Sequence, residues 1–237
     1  MKRHILLITV LSAILLLGVV PAWAATINVP GDYPTIQQAI DNSTDGDTII
    51  VAAGVYNENP INISTSITLN GAQANVEPIE GGRAGGEGVV NGQIDIWADN
   101  VTVNGFEIPN RHDGICGRNN RALHQNVQML YNYIHSNVEG AVGINLICDN
   151  PTVDTTTFKN YVISHNYINI SVSNLAAIAL NQKNPNTSKN YIYDGLEISY
   201  NNLTNTHGMA VWSAIGVATA HFDINNPVIK HNSSVFG

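Results

Sequence analysis

The densest cluster of side chains able to move a proton or hold an anion is Asn110-Arg111-His112-Asp113-Gly114, with Arg118, Arg121 and His124 close behind. Three of the four arginines beyond residue 24 fall in this stretch of an otherwise acidic chain. A carboxylate or an imidazole can act as general acid or base, and a guanidinium can neutralise the carboxylate of an acidic sugar. On that chemistry Arg111, His112 and Asp113 are candidate catalytic groups, and Arg118, Arg121 and His124 are candidate substrate-binding groups. His207 joins the first set, because Asn205-Thr206-His207-Gly208 repeats the corner of Asn110 to Gly114 in a later coil and would line one groove with His112. The plain structural readings are a polar loop with a local Asp–Arg pair and a turn histidine satisfied by a carbonyl. Asp149 and Asp154 offer oxygens of the kind calcium takes, and an Asx turn before Pro151 is the alternative. No His/Met/Cys cluster suggests a soft metal.

Repetitive β structure must position these residues. Residues 127–134, 161–168, 196–203 and 228–235 share an apolar position, two polar or aromatic positions, an Asn, any residue, and a second apolar position. The Asn recurs as Asn132, Asn166, Asn201 and Asn232, at spacings of 34, 35 and 31 residues. Such periods belong to solenoids, in which each short strand pairs in parallel with the strand one coil away. An Asn at the same turn of successive coils can stack amide on amide and satisfy polar groups at the bend. A second strand follows in each coil, beginning at Gly114, Gly143, Ala177 and Ala210. Shorter strands without the Asn signature fill the amino-terminal half, at 48–51, 61–63, 66–69, 89–90, 94–97 and 101–108. Within the last, Asn104-Gly105 reads as a tight corner between coils or as a hairpin turn. One amphipathic helix is expected over 34–42, where Ile36, Ala39 and Ile40 share a face, as the lid of the solenoid's first coil.

The amino terminus reads as a secretory signal. Lys2 and Arg3 precede an apolar run over 5–20, and Ala22-Trp23-Ala24 supplies small residues for cleavage. Residues 1–24 are therefore expected to be removed, leaving one domain over 25–237 that is secreted, periplasmic or on the cell surface, with no membrane span. Loss of Lys2 and Arg3 leaves 8 basic residues against 18 acidic ones. That balance excludes a basic face for nucleic acid or an anionic membrane. Cys116 and Cys148 could pair in an oxidising compartment or remain buried thiols. The chain stops soon after Asn232 without a closing coil. The expectation is a carboxyl-terminal truncation, or end-to-end association through an uncapped last coil.

Residues 26–71, with Tyr33-Pro34-Thr35-Ile36-Gln37-Gln38-Ala39-Ile40, Asp45-Gly46-Asp47-Thr48-Ile49-Ile50-Val51 and Gly54-Val55-Tyr56-Asn57-Glu58-Asn59, resemble the first coils of the pectin-lyase-like superfamily. The resemblance is especially to the right-handed β-helix repeat proteins of bacterial and archaeal surfaces and periplasms. It implies an all-β, single-stranded right-handed parallel β-helix with a short capping α-helix. It also implies polysaccharide as partner, through a lyase- or hydrolase-like site or through a non-catalytic structural or adhesive surface module. Arg111-His112-Asp113-Gly114, Thr206-His207-Gly208 and Val228-Ile229-Lys230 are partial echoes of polygalacturonase-like sites, without their Asp pair. The pectate-lyase Arg-x-Pro-x-x-Arg and the pectin-methylesterase Gln and Asp motifs are absent.

Overall fold

The computed structural model describes residues 23–109, 113–148, 153–170, 177–182, 190–204, 209–211 and 221–235. The signal segment, residues 110–112 and residues 205–208 lie outside them. Every strand pairing among the described residues is parallel, and the strands form sheets of eight, seven, six and four. One coil runs through all four. Val127–Leu130 lies in the first sheet, Tyr133–Ser136 in the second, Val142–Cys148 in the third and Thr155–Lys159 in the fourth, before Val162–Ser164 returns to the first. The chain is a parallel β-helix.

Alternation along each strand sends one column of side chains inward, and the parallel register stacks those columns into a continuous core. In the first sheet Ile27, Ile49, Leu69, Val103, Met129, Ile163 and Ile198 succeed one another in register, all buried. In the third sheet Ile61, Ile94, Ile115, Ile144 and Ile178 do the same. Ile229, the last described member of the first column, is in register with Ile198 and 51% exposed.

The expected helix forms as α1, Ile36–Asp41, shorter than residues 34–42. Thr35 caps it by accepting from the Gln38 N–H, and the Glu58 carboxylate accepts the N–H groups of Ile36 and Gln37 at 2.9 and 2.8 Å. Ile36, Ala39 and Ile40 are its buried face.

The Asn signature divides two strands of one coil. Residues 101–108 are Val101–Asn104 in the first sheet and Phe106–Pro109 in the second, so Asn104-Gly105 is a corner within a coil and not between coils. At this corner Tyr131, His165, Tyr200 and His231 take positive φ values of 52 to 58°, each just before a ladder Asn. Their rings stack at centroid distances of 4.7, 4.9 and 4.8 Å, close to the spacing of strands in a sheet. Gly105 holds the same place with φ +79°, where a Cβ would overlap the backbone of Gln73 and Ala74. The excursion over residues 71–87 packs against this corner. Its anchor is Arg83, which makes a bidentate pair with Glu87 and donates to the carbonyls of Val76 and Tyr131.

Candidate functional site

Asp113 opens the third-sheet strand Asp113–Asn119, and its side chain lines a cavity of about 530 Å³ with Asn57, Asn59, Asn91, Gly92, Gln93 and Pro109. Four amides and one carboxyl therefore face the same space. Asn91 donates to Asn57 Oδ1 at 2.8 Å, and Asn59 Oδ1 accepts the Gln93 backbone N–H at 3.2 Å. These residues sit on neighbouring coils because Asn62, Asp95, Cys116 and Asn145 form one outward column, in register across four third-sheet strands.

Burial raises the Asp113 carboxyl from its ordinary value. Asn145, itself 2% exposed, presents Nδ2 to Asp113 Oδ2 at 3.4 Å, and its Oδ1 has no hydrogen-bond partner among the described residues. The opposite amide orientation would let a protonated Asp113 donate to that oxygen. Behind the cavity wall Gln93 Nε2 hydrogen-bonds Asp95 Oδ1, and Arg118 Nε pairs with the same oxygen at 3.0 Å. Both side chains of the Arg118–Asp95 pair are about nine-tenths buried, at 11% and 8% exposure. The Arg118 guanidinium lies 6.0 Å from the centre of the Trp97 ring.

The other residues anticipated from sequence have different settings. Arg121 donates to Asp99 at 2.7 Å and to the Trp97 carbonyl at 3.0 Å, at a corner outside the cavity lining. His124 corrects the expectation of a binding role, because it is wholly buried and points into the core. Its Nε2 donates to the Ala98 carbonyl at 2.7 Å, so in the neutral ring Nδ1 accepts from the Tyr161 hydroxyl, also at 2.7 Å. Desolvation lowers its pKa to about 4. Alternation within Leu123–Gln125 turns residue 124 inward while Leu123 stays exposed.

Arg111, His112 and His207 lie outside the described residues, as does Asp149. The strands that follow His112 and His207 can still be placed. Ile115, Ile144, Ile178 and Met209 are in register on successive coils. The strands that begin at Asp113 and Met209 are thus three coils apart, about 14 Å at the spacing of a sheet. Among the described residues, no three His, Cys, Asp or Glu side chains converge as a metal would require.

Cys116 is a free, buried thiol. Of the two readings left open for Cys116, a pair with Cys148 or a buried thiol, the backbone register separates the two positions, since residue 148 is in register with Asn119, three residues along the strand from Cys116. At about 3.3 Å per residue that offset exceeds disulfide reach. The Asn ladder is intact. Asn132, Asn166 and Asn201 each donate both backbone N–H and side-chain Nδ2 to the Oδ1 of the next Asn, ending on Asn232.

Asp95 and Gln93 carry the site's polar network and were not singled out from sequence. The signal lay in aligning residues 94–97 with the strands that begin at Gly114 and Gly143, which puts Asp95 beside Cys116 and Asn145.

No protein-family model matches the chain, and no curated protein sequence matches it. Among solved structures, a pectin methylesterase from Aspergillus niger aligns over 92% of each chain, with 14% identity and a TM-score of 0.36. The class is set by the strand register itself: a parallel β-helix with an amide-lined cleft beside its third sheet. Among the described residues, no helix is long and apolar enough to cross a membrane.

Proposed function

We propose that this chain is a secreted β-helix protein that binds a polysaccharide in the cleft lined by Asn57, Asn59, Asn91, Gln93 and Asp113. The observation that carries the reading is Asp113, a carboxyl raised by burial and opening onto a cavity that four side-chain amides also line. Amides donate and accept at once, as sugar hydroxyls do. A carboxyl raised from its ordinary value by burial holds its proton more firmly than a solvated one and is suited to donating it to a bound group. Turnover as a lyase or hydrolase would then run through Asp113, with His112 and Arg111 as adjoining candidates. Secretion is supported by Lys2, Arg3 and the apolar run over 5–20, and amino-terminal sequencing of exported protein tests it.

A second reading, a non-catalytic surface module, is favoured by one observation. The nearest other carboxyl of the network, Asp95, is held by Arg118 and Gln93 and does not line the cavity. A screen of plant and microbial polysaccharides, with and without calcium, separates the two. Product formation lost in Asp113→Asn with binding retained supports the enzyme. Binding without product supports the module. Retention of no polysaccharide overturns both.

A further inference from the structure

Resting on the glycan-binding reading of this cleft, we infer that its ligand is an uncharged, hydroxyl-rich glycan and not an acidic one. Each arginine among the described residues already has a carboxylate partner. Arg118 is paired with Asp95 at 3.0 Å, Arg121 with Asp99 at 2.7 Å, and Arg83 with Glu87 at 2.8 Å. Drawing Arg118 onto a ligand carboxylate would strand Asp95, whose side chain is only 8% exposed, without its counter-charge. The ligand's anion would gain no more than Asp95 lost.

The lining points the same way. Asn57, Asn59, Asn91 and Gln93 are neutral, and Asp113 is the one ionisable side chain among the described lining residues. A ligand carboxylate beside Asp113 would set acceptor against acceptor, or force both groups to share a proton. A hydroxyl meets no such conflict, since it can donate to Asp113 and accept from an amide. The chain as a whole carries a formal charge of −8, which disfavours the approach of a polyanion. Arg111 adjoins Asp113 from outside the described residues and therefore forms its own arm of the test.

The full-length exported protein would be titrated with neutral polymers (β-glucan, xylan, galactomannan) and acidic ones (polygalacturonate, alginate), from about 0.05 to about 0.5 M salt. The expected result is affinity for a neutral polymer about tenfold or more above that for either polyanion, and little changed by salt. Asn91→Ala, with its melting temperature checked, should weaken that binding by about tenfold, the loss of one or two hydrogen bonds. Salt-sensitive preference for a polyanion, abolished by Arg111→Ala or Arg118→Gln, would overturn the neutral-ligand inference while leaving the glycan cleft standing. No binding to any polymer, or binding indifferent to Asn91→Ala in a folded variant, would overturn the cleft itself.

Discussion

The side-chain amide of Asn166 donates to Oδ1 of Asn201 at 2.9 Å, while its own Oδ1 receives the backbone and side-chain N–H groups of Asn132 at 3.0 and 3.1 Å. Its Nδ2 also reaches the carbonyls of Met129 and Ser164. One buried residue thus ties three coils together at the corner between the first and second sheets. Asn166→Ala removes these bonds and leaves several buried donors and acceptors without partners. The expected loss is about 3–5 kcal/mol, at the upper end for a single substitution. Chemical denaturation measures it, and a loss below about 1 kcal/mol would show that the ladder does not hold the coils.

A second Asn ladder runs along the corner where the chain enters the first sheet. Asn126 donates to Asn100 at 2.9 Å and Asn160 to Asn126 at 3.1 Å, and Asn100, Asn126, Asn160 and Asn226 all have φ between 49 and 58°. Gly195 interrupts the series with φ +67°. A Cβ at Gly195 would lie 2.9 Å from Asn160 Oδ1, the movable end of a side chain that bonds its neighbours elsewhere in this ladder. Gly195→Asn should therefore complete the row and stabilise the protein by about 0.5–1 kcal/mol, because Asn tolerates this conformation and restricts the unfolded chain. Gly195→Ala is the control. It has the Cβ without the amide and should destabilise.

The inner ladder was legible from sequence because its Asn must recur once per coil, and the aliphatic columns were legible for the same reason. The fourth sheet was not. Its outward column reads Leu123, Thr157, Ile192 and Asp223, with no shared chemistry from which to set a register. The same limit governed the site. Arg118 and Arg121 looked available because their partners, Asp95 and Asp99, lie more than 20 residues earlier and become neighbours only through the coil. His124 looked like part of a basic cluster for want of the alternation that turns it inward. Asp113 was legible by residue type alone, whereas the amides facing it come from two preceding coils.

Burial of neutral His124 makes folding sensitive to mild acid. The unfolded ring takes up its proton near pH 6.5, while the folded ring resists until about pH 4. Its contribution to stability is complete above pH 6.5 and falls as pH drops towards 4, by about 3 kcal/mol in all. His124→Gln lowers stability at pH 7 but should be flatter across that window. Denaturation midpoints at pH 4, 5, 6 and 7 provide the comparison, and parallel curves for parent and variant would contradict the assignment.

Asp113 has the opposite sign. Burial raises its folded pKa above 3.8, so the folded state binds its proton more tightly than the unfolded chain does. That advantage is fully present below pH 3.8 and is lost as pH rises through the folded value, where an ionised carboxylate must be held with little solvent. Asp113→Asn keeps the shape and polarity of the protonated acid and cannot ionise. The variant should be more stable than the parent at pH 7, with the difference shrinking to near zero at low pH. A carboxyl kept in place against its own stability is expected where proton transfer is needed, since functional groups are often held in unfavourable settings. Equal stability of parent and variant at pH 7 would remove that argument. Greater stability, together with glycan binding and loss of turnover, would assign Asp113 to chemistry and not to packing.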